Sequence, residues 1–104
     1  MRSRFSAYAL GLVDYIQRTT DPLGDAWDAD TDAWAASIRR FSEGTRFAGL
    51  VIRSAPPPEG DRGEVVFTAV LEQGGDNATF TERSRFRRDP ERGWLYVDGD
   101  RLDD

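Results

Sequence analysis

The sequence predicts an α+β domain, in which a curved four-stranded antiparallel meander wraps over N-terminal helices. Three observations carry this expectation. Apolar residues in the first half recur at spacings of three and four, the period of a helix face. From about position 46 onward the chain alternates instead, with β-branched and aromatic residues on one side, the period of a strand. The strand-like runs are separated by short clusters of Gly, Pro, Asp and Asn, which suit hairpins joined in sequence order.

Residues 3–19 read as one amphipathic helix, with Phe5, Tyr8, Ala9, Leu12 and Ile16 on its apolar face. Ser3 is a suitable cap, but Arg2 and Arg4 stand at the end where the helix dipole disfavours cations, so they call for partners elsewhere. Asp21-Pro22 stops the helix, because a residue before proline avoids helical geometry. Residues 21–29 form a loop in which Leu23 and Trp27 are expected to reach the core. A second helix over 31–43 has Asp30, Thr31 and Asp32 at its start and Gly44 at its end, and buries Trp34, Ile38 and Phe41.

Strands are expected over 46–54, 63–73, 78–88 and 94–98. Pro56-Pro57-Pro58-Glu59-Gly60 cannot pair in a sheet. Gly74-Gly75-Asp76-Asn77 makes one hairpin turn and residues 89–93 another, and residues 100–104 read as a frayed acidic tail. In the second strand Val65, Phe67, Ala69 and Leu71 share a face. Long strands in so small a domain must twist and curl, and their concave side holds either a filled core or a pocket.

With 104 residues the chain is one domain, and its 12% aromatic content supplies a packed core rather than a disordered chain. The net charge of −5 opposes a phosphate-binding surface, so nucleic acid is not an expected partner. All 14 bases are arginine, which we read as compositional bias. Lacking both cysteine and histidine, the chain offers no thiolate chemistry and no ordinary zinc ligands, and no cofactor is expected. Residues 1–12 hold no continuous apolar stretch with a cleavage site, and no span reaches transmembrane length. A cytoplasmic protein without membrane contact is the expectation.

Arg-Ser-Arg-Phe occurs twice, at residues 2–5 in the helical pattern and 83–86 in a strand pattern. The octapeptide Met1 to Tyr8, then Asp14-Tyr15-Ile16, Arg18-Thr19 and Pro22, then Gly49-Leu50, Glu82 to Phe86 and Gly93 to Gly99 follow one another in the order of a known family. On these segments the chain resembles the YchJ family, bacterial proteins of uncharacterised function. The resemblance implies that family's central domain, of the nuclear-transport-factor-two-like (cystatin-like) fold. Family members commonly flank this domain with cysteine-rich SEC-C zinc modules, which this sequence does not contain. The partner contacts of those modules are therefore not carried over. The family's helix often has residues ahead of this point, which would account for the charged helix start.

Alternation along the third strand sets Ala78, Phe80, Glu82, Ser84 and Phe86 on one face, so Glu82 and Ser84 are expected inside between two buried rings. A buried carboxylate needs a partner, and Arg2 or Arg4 is the obvious one, tying helix to sheet. The functional counterpart is a carboxylate lining a ligand pocket. Arg83 and Arg85 then project outward. Trp94 and Tyr96 alternate with Leu95 and Val97, leaving the fourth strand apolar on both faces, to be covered by a second subunit, the acidic tail or the Pro-rich loop. Asp14 and Asp98, with Tyr15, are weighed as proton-moving groups against plain roles at a helix surface and a strand end.

The leading reading is a non-catalytic domain that binds a protein or small molecule. Arg2, Arg4, Tyr8, Glu82, Arg85, Trp94 and Asp98 are its most constrained polar and aromatic positions. The alternatives are an isomerase- or hydrolase-like enzyme with Glu82 or Asp98 as base, and a homodimer formed through the sheet's outer face.

Overall fold

A computed structural model describes residues 1–102 of the chain. The first helix breaks where the sequence carries Gly11. The chain forms α1 (Arg2–Leu10) and α2 (Val13–Arg18), and Gly11 between them stands at φ 68°. Its N–H donates to Tyr8 O at 3.2 Å and the Leu12 N–H donates to Ala7 O at 2.8 Å, a left-handed cap that a residue with a Cβ adopts only under strain. The expected continuous apolar face is correspondingly rearranged. Leu12 and Ala9 are exposed, whereas Ala7, Val13 and Ile16 are buried. Ser3 caps nothing and instead accepts a hydrogen bond from the Tyr15 hydroxyl at 2.7 Å.

Helix α3 (Thr31–Gly44) follows the sequence closely. The Asp30 carboxylate accepts from the Ala33 N–H at 3.1 Å, satisfying one of the free donors of the first turn. Ala35 and Ile38 are buried, with Trp34 and Phe41 half-buried beside them. In the loop before α3, Trp27 meets Trp34 edge-on at 5.1 Å, but Leu23 stands in solvent.

The sheet comprises β1 (Thr45–Ser54), β2 (Arg62–Gln73), β3 (Asp76–Asn77), β4 (Phe80–Asp89) and β5 (Gly93–Arg101). Its order is β1-β2-β4-β5, with the two-residue β3 also paired to β2, and every one of these pairings is antiparallel. The expected four-residue turn is tighter than the sequence suggests. Gly74 and Gly75 alone turn the chain, both at positive φ, so Asp76 and Asn77 pair with Gln73 and Glu72. Extra residues at Ala48 and Arg53 in β1, and at Val97 in β5, interrupt the register and curl the sheet.

The last strand is longer than its alternation suggests. Asp100 and Arg101 are not tail but pair with Arg83 and Glu82, the Leu102 N–H donates to Thr81 O at 3.0 Å, and residues 103–104 of the expected acidic tail lie outside the described residues. Asp100 and Arg101 of the expected tail extend β5 rather than cover it, and Pro56 and Pro57 of the Pro-rich loop border a depression that Val97 and Asp98 also line. The segment after α2 runs alongside β5: Tyr96 N–H donates to Thr19 O at 2.7 Å and Asp21 N–H to Tyr96 O at 2.8 Å. Gly24 approaches the Val97 backbone so closely that a Cβ would lie 2.5 Å from the Val97 carbonyl oxygen. Leu95, beside this crossing, is 1% exposed.

Apolar burial is divided between two clusters. One joins the three helices through Ala7, Val13, Ile16, Ala35 and Ile38. The other lies on the sheet's concave face around Phe67, Ala69 and Leu71, with Phe5, Phe41, Phe47 and Phe80 packed on it.

Candidate functional site

Where α1 and α3 meet the concave face of the sheet, a cavity of about 350 Å³ remains open. Its walls are aromatic. Phe5 and Phe41 both stand edge-on to Phe47, at 5.5 and 5.8 Å, and Tyr8 stands edge-on to Phe41 at 5.7 Å. Phe67 and Phe80 close the sheet side at 6.0 Å. Edge-to-face rings hold one another in place, so the wall is set by packing rather than by a ligand.

Glu82 enters this cavity from β4, as alternation between Phe80 and Phe86 requires. Its partners are not the expected ones. Among the described residues no ion pair joins it to Arg2 or Arg4. Instead its Oε2 accepts from the Ser84 hydroxyl at 2.7 Å and from the Tyr96 hydroxyl at 2.9 Å. Its Oε1 faces Arg101 Nε at 3.8 Å, and the Arg101 guanidinium lies on the Phe80 ring, 3.7 Å from its centre. Gly99, opposite Ser84, makes room for this arrangement: a Cβ there would overlap the Glu82 carboxylate and come within 2.7 Å of the Tyr96 hydroxyl.

Arg4 belongs to a different network. Its Nη1 donates to Thr19 Oγ1 at 2.7 Å, and to Ile16 O and Thr20 Oγ1 at 3.3 Å each. The cation that looked misplaced at the start of α1 therefore serves the carboxyl end of α2, where the helix dipole favours positive charge. The Tyr96 ring lies 4.7 Å from the guanidinium carbon, so Tyr96 separates Arg4 from Glu82, its face toward one and its hydroxyl toward the other. Burial pushes the Tyr96 phenol well above its ordinary range, and the Glu82 charge adds to this. Burial likewise raises the Tyr8 phenol, with Arg4 opposing, so both remain hydrogen-bond donors near neutrality. Burial lowers the Arg4 guanidinium, and the surrounding phenols offset part of that.

Of the sequence candidates, Arg4, Tyr8, Glu82 and Tyr96 line the cavity and Ser84 stands behind Glu82. The others lie elsewhere. Arg2 and Asp14 are exposed on the helices. Tyr15 bonds Ser3, so no Asp14–Tyr15–Asp98 group forms in the cavity. Asp98 lies on the convex face, where Arg85 donates to it at 2.6 Å and to Asp100 at 2.8 Å. These two carboxylates, Asp100 foremost, raise the Arg85 guanidinium, and Arg85 in turn holds the Asp100 carboxyl below the ordinary range. Trp94, 38% exposed, rests on Gly63 beside Arg88.

A wider depression of about 480 Å³ lies between Pro56-Pro57 and this convex face. Three of its charged side chains, Glu64, Arg85 and Asp98, are already ion-paired, so the smaller concave cavity is the better ligand site. Among the described residues no three carboxylates converge to hold a metal ion. Sequence reading missed Arg101, although the length of β4 asks for a hairpin partner of similar length. It also missed Thr19 and Thr20, whose role depends on where α2 ends.

The chain matches the model of the YchJ middle NTF2-like domain over residues 1–99. It is 40% identical over 98% of its length to a UPF0225 protein of Polaromonas naphthalenivorans, covering 67% of that protein. A UPF0225 protein of Vibrio vulnificus is 35% identical over 95% of the chain, which spans 56% of the relative. The crystal structure of a SEC-C motif containing protein from Psychrobacter arcticus superposes with a TM-score of 0.73 at 26% identity, over 94% of this chain and 56% of that one. By its residues, its fold and these likenesses, the chain belongs to the YchJ (UPF0225) family and forms its middle NTF2-like domain.

Proposed function

We propose that this domain is a non-catalytic binding module of the cytoplasm that takes a small molecule into its concave cavity. The carrying observation is the cavity itself: about 350 Å³ left open between two packed clusters, with ring walls and a carboxylate held in place by two hydroxyls. Such a volume is at the small end of the roughly 300–1,000 Å³ typical of ligand pockets, and apolar walls with a few fixed polar groups are their usual composition. A catalytic role would ask Glu82 to act as the base, since Asp98 is ion-paired on the other face. Glu82 Oε2 is already engaged by Tyr96 and Ser84, which favours holding a ligand over moving a proton.

A fragment panel read by amide NMR tests this reading. Shifts are expected to concentrate at Phe5, Tyr8, Phe41, Phe67 and Glu82. A panel of aromatic and aliphatic fragments, with acids, amines and neutral compounds all represented, that leaves those positions unmoved would overturn it.

A further inference from the structure

The class of ligand follows from the charges at the cavity, given the binding reading above. Glu82 and Arg101 face each other at 3.8 Å and balance. Arg4 is left over. It is 7% exposed, its three hydrogen bonds all end on neutral oxygens, and among the described residues it takes part in no ion pair. The Tyr96 ring face offers it a quadrupole but no counter-charge. A buried cation without an anion is costly in a low-dielectric interior, and Arg4 cannot escape by losing its proton, because a guanidinium stays charged near neutrality. The lowered Arg4 pKa, caused first by burial, agrees with this. Among its side chains the concave cavity therefore carries an excess of one positive charge, with the Met1 amino group also at its lining, although the chain as a whole is at −5.

We propose that the cavity receives a small aryl carboxylate, its carboxylate against Arg4 and the Tyr8 hydroxyl and its ring between Phe5, Phe41, Phe47 and Phe67. A guanidinium matches the two oxygens of a carboxylate in geometry and charge. The edge-to-face wall offers ring faces and edges to a flat ligand. A neutral ligand of the same shape leaves Arg4 without a counter-ion. An amine finds only Glu82, where Arg101 already stands.

Three probes of one shape decide the matter on the intact protein: phenylacetate, phenylacetamide and phenethylamine, compared by calorimetry and thermal melting. Phenylacetate is expected to bind at least tenfold more tightly than the other two and to shift the Arg4 side-chain NMR signal. Arg4→Met is expected to erase that preference. Should that variant fail to fold, the wild-type ranking and the Arg4 signal decide. Equal or tighter binding of the amide or amine overturns the carboxylate assignment while the binding reading stands. So does silence from all three probes when the fragment panel still moves the cavity residues. Silence from both overturns both.

Discussion

At position 99 a hydrogen in place of a methyl leaves space for the contact between Glu82 and Tyr96. Gly99→Ala would force the carboxylate aside and crowd a ring that cannot yield. We expect a loss of about 1–3 kcal/mol, as for other small-to-large changes in packed sites, measured by urea unfolding. An unchanged midpoint would mean that the hydroxyl–carboxylate bond contributes nothing. The inward side chain of Glu82 was legible, because Phe80 two positions before it and Phe86 four positions after it share its face. Its partners were not. Tyr96 reaches it because the extra residue at Val97 sets the register of β5, and no local pattern marks that bulge.

At the level of elements, Gly11 decides how the helical layer is built. An apolar period that runs on through residues 3–19 is compatible with one helix, and only the left-handed cap divides it. The division lets α2 end beside Arg4, which then donates to the Ile16 carbonyl and to the Thr19 and Thr20 hydroxyls just past that helix. Gly11→Ala is expected to destabilise the domain by about 1–2 kcal/mol, the cost of a left-handed conformation with a Cβ. Thermal denaturation checks this. A stabilised variant would show that the two helices prefer to merge. The start and apolar face of α3 were legible because its Asp30 cap and Ile38 agree, although Gly44 falls inside the helix and Ala35 is buried beside Ile38; β5 was cut short because glycine and aspartate interrupt its alternation.

Across the whole molecule, one ion pair joins the segment after α2 to the sheet. Arg87 donates two hydrogen bonds of 3.0 Å each to Asp21, which is 3% exposed and also accepts from the Leu23 N–H. Arg87 is the main reason that the Asp21 carboxyl lies below the ordinary aspartate value, about 3.9. A carboxyl depressed in the folded state contributes stability that is fully present above that ordinary value. It is lost as pH falls through the lower folded value. Wild-type protein should therefore lose stability more steeply below about pH 4 than Asp21→Asn, which starts lower and stays flatter. Parallel curves from chemical unfolding at pH 2–7 would remove the pair from the account. Asp89 and Asp100 are depressed as well, and the difference between the two proteins isolates Asp21.

The sequence by itself determined the α+β class, the antiparallel order, the capped third helix and the inward carboxylate. Each of these follows from a period or a turn residue that acts over a few positions. Tertiary structure alone decided which groups meet: Arg4 with the end of α2, Glu82 with Tyr96 and Arg101, Asp21 with Arg87. Such partners are chosen by where breaks and bulges fall, and a shift of one residue there turns a side chain to the other face. The open cavity has the same origin, since it is the space that two curved, separately packed clusters leave between them.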